Sequence, residues 1–367
     1  MLMNSIDLVK NKFLKLAIGV TFSIVTASGQ LSTNAEVFAT GLDSPRGLTF
    51  GPFGGLYVAE GGQGGSSSTV GSCLQVPAPV GPYTGGFTAR ISRIDAVGNR
   101  TTVVGGLPSS QTSPAQGSLV SGVADVAFMD GVLYGLEAGA GCSHGLAGTD
   151  NTIFRVNANG TTTTVADLSA FVKAHPVANP DLGDFEPDGT WYSMVAVLGA
   201  FYAVEPNHQE FDRITLRGDI TRLRDMSTLF VPPGNWQGPT GLAYHGNFYF
   251  GTLAEFPIQP GSAGVYKITP SGEIRAETLG LTTVLGVTFD GRDRMYVLEM
   301  SPAPGFPTPF IGRVLRVNPS GSTEVIADGL ALPTAMTFGP DEKLYVSNFG
   351  FGFPPGAGQI VRITVPE

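Results

Sequence analysis

Charged side chains are scarce in this sequence. They make up 14% of the 367 residues, whereas hydrophobic residues reach 42%. Disordered chains show the opposite balance, so this composition predicts a folded protein with a sizeable core. Positive charge is the scarcest, with 21 Lys and Arg against 30 Asp and Glu and no basic run. Because nucleic acids are bound through clustered Lys and Arg, we expect no nucleic-acid partner.

Compact catalytic motifs are absent as well. The sequence contains no Gly-x-Ser-x-Gly elbow, no His-Glu-x-x-His pair, no P-loop and no dinucleotide fingerprint in a βαβ setting. The glycine-rich residues 61–65 are not followed by a helical pattern, so they do not predict a phosphate cradle. Function therefore has to be inferred from the organisation of the chain.

Long hydrophobic runs are limited to the N-terminus. Three lysines within residues 10–15 precede an apolar run at residues 16–25, and small and polar residues follow. This layout predicts a secretory signal peptide over residues 1–35, with Thr33 and Ala35 at the −3 and −1 positions of one possible cut. The run is short for a transmembrane helix, and the alternative is an uncleaved anchor. We expect an exported chain, periplasmic or extracellular, with no stable membrane span after cleavage.

Cysteine occurs only as Cys73 and Cys142. Export would place both thiols in an oxidising compartment, where a disulfide can form. Two cysteines in glycine-rich loops are too few for a zinc site without other ligands. The sequence therefore favours a Cys73–Cys142 disulfide, with two unpaired cysteines as the alternative.

A repeat organises the rest of the chain. An apolar phrase such as Gly-Leu-Thr-Phe is followed by Leu-Tyr-Val and then by a basic residue before Ile or Val, and this order recurs six times with variations. The last three intervals between the repeated tyrosines are 47, 47 and 49 residues, close to the length of a propeller blade. The first two intervals, 77 and 68 residues, fit the same unit with longer loops. The six tyrosines are Tyr57, Tyr134, Tyr202, Tyr249, Tyr296 and Tyr345.

Each unit predicts four short strands, and six units predict an all-β, six-bladed β-propeller over residues 36–367. The sixth unit ends after its third strand, at Glu367, while residues 36–39 supply a spare strand that matches residues 324–327. The N-terminal strand is therefore expected to complete the last blade and close the ring. A seventh blade hidden in residues 167–197 is the alternative, but that stretch is more typical of a loop insertion with a short helical turn.

Long loops are predicted to lie on one face of the propeller. The turns between strands 1–2 and 3–4 of each unit are short, whereas the loops between strands 2–3 and between blades are long. These two sets lie on opposite faces, and binding sites usually occur on long loops carried by a rigid scaffold. Tolerated insertions are the alternative. We expect a small molecule or a protein to bind the long-loop face, and we expect a monomer.

An oxygen-bearing side chain recurs three residues after each repeated tyrosine. The residues at this position are Glu60, Glu137, Glu205, Thr252, Glu299 and Asn348. Carboxylates that converge on a channel mouth repel one another unless a cation lies between them. Because hard oxygen ligands in this number suit Ca²⁺, all of these residues except Thr252 are candidate metal ligands. The alternative is that each side chain hydrogen-bonds loop backbone within its own blade, as a structural role inherited with the repeat.

Four further residues are candidates for chemistry or binding on this face. His144 and His208 lie in strand 2–3 loops and are candidates for a catalytic base, while His175 lies in the insertion before the third blade. Arg46 begins the first inner strand and is a candidate to bind an anion at the channel mouth or to pair with Glu60. Arg46 and His175 are thus the ligand-binding candidates. Each histidine has the alternative of being an ordinary loop residue.

Several segments in a fixed order carry a family resemblance. They are residues 41–60, 90–95, Cys142 and residues 184–188, 205–207 and 318–321. In this order they resemble the ScyD/ScyE family, exported cyanobacterial proteins with NHL-type repeats, over nearly the whole mature chain. The resemblance implies export and a six-bladed propeller, and it implies no particular reaction.

Two enzyme families share the expected architecture. Gluconolactonase-like hydrolases hold one divalent metal at the channel mouth, and Glu60, Glu205 and Asn348 would take that part here. Quinone-dependent sugar dehydrogenases use a histidine base, for which His144 is the nearest candidate. We favour an exported accessory propeller that binds a ligand or partner through its long-loop face. The alternatives are a metal-dependent lactonase-like hydrolase and, second, a quinone-dependent sugar dehydrogenase.

Overall fold

Six antiparallel sheets, arranged in sequence order, make up the fold. The computed structural model describes residues 29–230, 236–269, 272–350 and 352–367. Within these ranges five sheets have four strands and one has five, and consecutive sheets pack as the blades of a β-propeller. The predicted all-β, six-bladed architecture is therefore confirmed. Residues 167–197 contain no additional blade, since they hold a short helix, a loop and the first strand of the third blade.

The strands follow the repeat. The chain enters through β1 (Ala35–Leu42). The first blade is β2 (Pro45–Phe50), β3 (Leu56–Glu60), β4 (Thr84–Ile94), β5 (Arg100–Gln111) and β6 (Val120–Ser121). The second is β7 (Val123–Met129), β8 (Val132–Glu137), β9 (Thr152–Val156) and β10 (Thr162–Asp167). The third is β11 (Ser193–Val197), β12 (Ala200–Glu205), β13 (Glu210–Ile214) and β14 (Ile220–Asp225). The fourth is β15 (Gln237–His245), β16 (Asn247–Ala254), β17 (Ala263–Ile268) and β18 (Ile274–Leu281). The fifth is β19 (Val284–Phe289), β20 (Met295–Glu299), β21 (Gly312–Val317) and β22 (Thr323–Leu330), and the sixth begins with β23 (Ala335–Phe338), β24 (Leu344–Asn348) and β25 (Gly358–Ile363).

The N-terminal strand closes the ring as predicted. β1 pairs antiparallel with β25, with Ala35 opposite Ile363 and Leu42 opposite Gly358, and so supplies the fourth strand of the sixth blade. The first and last parts of the propeller are thereby joined by backbone hydrogen bonds, and the edge that β25 would otherwise expose is covered.

The residues just before β1 also contact the propeller. The side-chain amide of Asn34 donates to the carbonyls of Ile326 and Thr364, both at 3.0 Å. A cut after Ala35 would remove these contacts between Asn34 and the propeller. The cleavage site itself is still a prediction. Residues 1–28 of the predicted signal peptide lie outside the described residues. Across the described ranges, none of the helices has the length and apolar character needed to cross a bilayer.

The repeated tyrosines explain how blades pack against one another. Each tyrosine contacts a phenylalanine of the next blade, with ring centroids 4.4–5.2 Å apart. The sixth tyrosine contacts Phe50 of the first blade, which completes the circle. Such aromatic pairs stabilise a fold by about 0.5–1.5 kcal/mol beyond area burial. The repeat thus encodes the interfaces between blades. The pairs are Tyr57–Phe128, Tyr134–Phe201, Tyr202–Phe248, Tyr249–Phe289, Tyr296–Phe338 and Tyr345–Phe50.

Two loop features were also predicted correctly. A disulfide joins Cys73 and Cys142, whose Cα atoms are 6.3 Å apart, and so links the strand 2–3 loops of the first two blades. The helix α1 (Leu168–Ala174) follows β10, and Asp167 caps it by accepting a hydrogen bond from Ala170 N at 2.8 Å. The first blade departs from the prediction, because β4 and β5 extend into segments expected to be loops and β6 adds a fifth strand.

Candidate functional site

A cavity of about 1100 Å³ runs along the central channel and widens among the long loops. Its channel part is lined by the first strand of every blade, β2, β7, β11, β15, β19 and β23. Its outer part is lined by residues of the strand 2–3 loops and of the loops between blades. The predicted concentration of loops on one face therefore surrounds a real concavity, of the size that binds small molecules.

Five polar residues meet where the inner strands begin, and we call them the inner-strand cluster. They are Arg46, Asp125, Tyr192, Ser193 and Thr334. Asp125 accepts hydrogen bonds from Ser193 Oγ at 2.9 Å and from Val126 N and Met194 N at 2.8 Å. Tyr192 donates to the carbonyl of Thr334 at 2.7 Å. The cluster joins blades on opposite sides of the channel, and every member lines the cavity.

Burial controls the ionisation of the inner-strand cluster. It raises the pKa of Asp125 to about 6, despite the three hydrogen bonds that favour the carboxylate. Burial also lowers the pKa of Arg46, although an arginine keeps its charge in proteins. Burial raises the pKa of Tyr192; the charge of Arg46 opposes that rise and Asp125 adds to it, so Tyr192 is influenced by both neighbouring charges. The cavity is thus lined by a carboxyl group with a raised pKa and by a fixed positive charge.

A second group of cavity residues is acidic, and we call it the acidic wall. It consists of Asp181, Asp184, Glu186 and Glu255. Burial, and then repulsion by Glu186 and Asp181, raises the pKa of Asp184 to about 7. Burial and Asp181 likewise raise the pKa of Glu255. These mutual effects show that the four carboxyl groups share one electrostatic environment.

The histidine candidates have different surroundings. His144 is fully buried and does not line the main cavity; its Nδ1 is 2.8 Å from Ser110 Oγ and its Nε2 is 3.4 Å from Glu186 Oε2. His208 is buried beside Glu205 and lines a second cavity, of about 690 Å³, next to the disulfide. Burial opposes protonation of His208, but Glu205 outweighs it and the pKa is raised. His144 therefore lies behind two residues that line the main cavity, Glu186 and Tyr83.

The two ligand-binding candidates, Arg46 and His175, lie in different surroundings. Arg46 lines the cavity and donates a hydrogen bond to the carbonyl of Val120. His175 does not line it: this residue follows the last turn of α1, stacks on Phe171 with ring centroids 4.6 Å apart, and is exposed. The structure thus keeps Arg46 as a candidate near a ligand and places His175 on the outside of the insertion.

The repeated oxygen-bearing residues do not meet at the cavity. Four of them accept a hydrogen bond from a backbone N–H of the link that enters their blade, while Glu137 accepts from Ala138 N and Gly139 N directly after its own strand. The four bonds are Asp43 N to Glu60 (2.6 Å), Thr190 N to Glu205 (2.6 Å), Thr282 N to Glu299 (2.6 Å) and Ala331 N to Asn348 (2.7 Å). None of these five candidates is among the residues that line the main cavity.

This geometry bears on the proposed calcium site. Glu60, for example, also contacts Arg90 at 2.7 Å and Ser92, so both of its oxygens have protein donors. Within the described ranges, no three His, Cys, Asp or Glu side chains are grouped so that they could hold a metal ion. The five residues therefore do not fit a cation shared between blades, and their hydrogen bonds agree with the structural alternative. Calcium binding stays a prediction that only a metal measurement tests.

Sequence reasoning missed the acids that line the cavity. Asp125 is the one carboxylate in β7, a strand that is otherwise apolar, and this contrast was a usable signal. Asp184 and Glu186 lie in the segment Asp-Phe-Glu-Pro-Asp at residues 184–188, where acids are unusually dense for this chain. Both signals are departures from the repeat, whereas the predicted metal ligands are residues that the repeats share.

Comparisons with known proteins identify the fold. No protein-family model matches this sequence, and no curated protein matches it either. A structural genomics protein of unknown function from Bacteroides thetaiotaomicron is similar with a TM-score of 0.55 at 13% identity, covering 92% of this chain and 77% of that one. A gluconolactonase from Xanthomonas campestris gives 0.52 at 11%, covering 90% and 89%. A glucose dehydrogenase gives 0.52 at 12%, covering 91% and 99%. At such identities these similarities show a shared propeller fold and nothing finer.

Proposed function

We propose that this chain is an exported, lactonase-like hydrolase that binds a small organic molecule in the central cavity. The observation that carries the proposal is the inner-strand cluster, in which Asp125 and Arg46 line the same cavity. A gluconolactonase is among the structures that share this fold, so a lactonase-like activity is compatible with the scaffold. The disulfide and the predicted signal peptide support export.

The inner-strand cluster has the groups that lactone hydrolysis needs. A carboxylate with a pKa of about 6 is ionised at neutral pH and can take a proton from water as that water attacks the lactone carbonyl. The fixed charge of Arg46 stabilises the oxyanion that develops. The ring C–O bond then breaks, and the proton held by Asp125 passes to the leaving oxygen, which yields a hydroxy acid. Since the donor set does not fit a metal of the gluconolactonase kind, no step is assigned to one.

Hydrolysis of glucono-δ-lactone and δ-valerolactone, followed with a pH indicator, tests this proposal. We expect turnover by the purified protein, and a loss of about 100-fold or more in Asp125→Asn, since general bases contribute on that scale. Asp219→Asn, at a 67% exposed position in the third blade, is the matched control and should keep full activity. Turnover that requires added Ca²⁺ and disappears in Glu60→Gln would contradict the assignment and favour the predicted calcium ligands.

The second candidate is a ScyD/ScyE-like accessory protein that binds without catalysis. It is favoured by the family resemblance of the mature chain and by the three hydrogen bonds to Asp125, which also suit a structural role. A protein that binds small molecules but hydrolyses neither lactone would support it. A quinone-dependent dehydrogenase is less well supported, because a quinone that carries carboxylates would face the acidic wall, and His144 does not line the cavity.

A further inference from the structure

The carboxylates of the acidic wall are only half satisfied. Asn207 Nδ2 donates to Asp184 Oδ2 at 2.9 Å, and the Tyr83 hydroxyl donates to Glu186 Oε1 at 2.5 Å. The other oxygen of each, Asp184 Oδ1 and Glu186 Oε2, is buried and has no hydrogen-bond partner in the described part of the chain. Both donors are neutral side chains, so they orient the carboxylates without compensating their charge.

No Lys or Arg of the described residues pairs with this wall. Asp181, Asp184 and Glu255 make no ion pair within the described residues, and the nearest partner of Glu186 is His144 Nε2 at 3.4 Å. Lys173, close in sequence, pairs with Asp188 instead. Arg46 is the only Lys or Arg among the described residues that line the cavity. Like charges held together in this way are costly until a cation reaches them.

A buried group outside the acidic wall also lacks a partner. Trp236 lines the cavity at 8% exposure, and its indole N–H has no acceptor in the described part of the chain. Glu186, which is 1% exposed, lines the same cavity. Tyr83 and Phe256 add aromatic surface. A buried donor, a buried acceptor and aromatic rings around one concavity are features of a ligand site. The aromatic faces would also attract an organic cation.

We propose that the acidic wall binds a protonated organic amine, carried on an uncharged body that contacts the aromatic residues of the cavity. An ammonium group has several N–H donors and no acceptor, which matches the unpartnered oxygens of Asp184 and Glu186. The described residues contain no group of three ligands suited to a metal ion, so an organic cation fits better than a metal. The inference rests on the proposed function and names its substrate class as an ester or lactone that bears an amine.

Calorimetric titration with matched pairs of compounds tests the charge alone. The pairs are phenethylamine with phenethyl alcohol, and benzylamine with benzyl alcohol. At about pH 8 at least one amine should bind about tenfold more tightly than its alcohol, a difference of about 1.4 kcal/mol. The preference should shrink at about pH 5.5, because Asp184 takes up a proton. The titratable groups that act on Asp184 and Glu186 are Asp181, Glu205, Tyr83, His144 and His208.

Variants locate the site. Asp184→Asn keeps an oxygen that can accept from Asn207, and it should abolish the preference for the amine. Glu186→Gln should weaken that preference. Thermal melting confirms that both variants fold. Asp219→Asn should bind as the unchanged protein does. Equal binding of amine and alcohol would overturn the inference and leave the proposed function standing. An amine preference that survives Asp184→Asn, or calcium chloride that competes for the same site, would overturn it too. If no amine binds, the inference is overturned, and lactone turnover then tests the proposed function separately. Turnover would leave the proposed function standing, whereas no turnover would overturn the proposed function as well.

Discussion

The acids of this propeller form two groups that differ in their origin in the sequence and in their surroundings. One group, at the position three residues after the repeated tyrosine, accepts backbone N–H groups at the ends of its own blade. The other group consists of Asp125 and the acidic wall. These acids occupy positions at which the other blades have no acid, and they line the cavity. Residues that recur in every blade hold the scaffold together, because each blade needs the same contact. Residues that differ from the repeat occur where one blade has a role that the others lack, and here they line the cavity.

The two groups also differ in how their charge is balanced. Glu60 is buried with Arg90 at 2.7 Å and Arg100 at 3.5 Å. Asp184, in contrast, is held by an amide and faces other carboxylates, and its pKa is raised to about 7. A saturated carboxylate stabilises the fold and has little capacity left for a ligand, while a half-satisfied one is available to a ligand at a cost to stability.

The largest expected effect on stability comes from the repeated position. Glu60→Ala should lower the free energy of unfolding by about 3 kcal/mol, because it leaves two arginines and the Asp43 N–H without their buried acceptor. Chemical denaturation measures this change. The control is Glu36→Ala, which removes an arginine partner at 59% exposure and should cost less than about 1 kcal/mol. Equal losses in the two variants would mean that Glu60 is not part of the scaffold in the way described.

Removal of the disulfide should also lower the stability of the fold, since this bond links two loops that are not part of the repeated strands. Replacing both Cys73 and Cys142 by Ser should lower the free energy of unfolding by about 2–3 kcal/mol, because the crosslink closes a loop with a sequence separation of 69. Denaturation under oxidising conditions provides the measurement, and the unchanged protein with reductant is the parallel control. Stability that is the same with and without the bond would show that these loops are held by packing alone.

A pH-dependent effect distinguishes members within the repeated group. Burial raises the pKa of Glu137 to about 8, and its Oε2 has no hydrogen-bond partner in the described residues. The folded state therefore holds a proton that the unfolded state releases at its ordinary pKa near 4.5, so Glu137 makes stability fall as pH rises through the window from about 5 to above 8.

Glu137→Gln should remove that dependence. Between about pH 5 and pH 9, the free energy of unfolding of the unchanged protein should decline more than that of the variant, because each unit of pKa shift changes the free energy by about 1.4 kcal/mol. Thermal melts across this range provide the measurement, and Glu299→Gln is the control because Glu299 is paired with Arg313 at 2.6 Å. Parallel pH profiles for the unchanged protein and Glu137→Gln would show that Glu137 ionises normally in the fold.

The sequence predicted most of the scaffold for a physical reason. Blade packing depends on local, repeated contacts, so each tyrosine and each short strand carries its own signal in the sequence. The closing strand followed from the fourth strand that the last unit lacks, and the disulfide followed from two cysteines in a chain expected to be exported. The added strand β6 was missed because residues 120–121 are too short to show alternation, and the extended β4 and β5 contain Gly and Pro that are typical of loops.

The cavity was harder to predict. Asp125 and Tyr192 are separated by 67 positions, and Tyr83 lies 103 positions from Glu186, so only the closed ring brings them together. Their hydrogen bonds decide which carboxylates are saturated, and no local pattern encodes that. His175 shows the same limit: its position in an insertion favoured the ligand face, but stacking on Phe171 turns it outward.

The central claim is that acids outside the repeat, and not those within it, bind the ligand. Calorimetric titration of the tightest-binding amine into Asp184→Asn and Glu299→Gln, side by side at about pH 8, tests it most directly. The account predicts that Asp184→Asn loses about tenfold in affinity while Glu299→Gln binds within about twofold of the unchanged protein. Full binding by Asp184→Asn together with a loss in Glu299→Gln would contradict it.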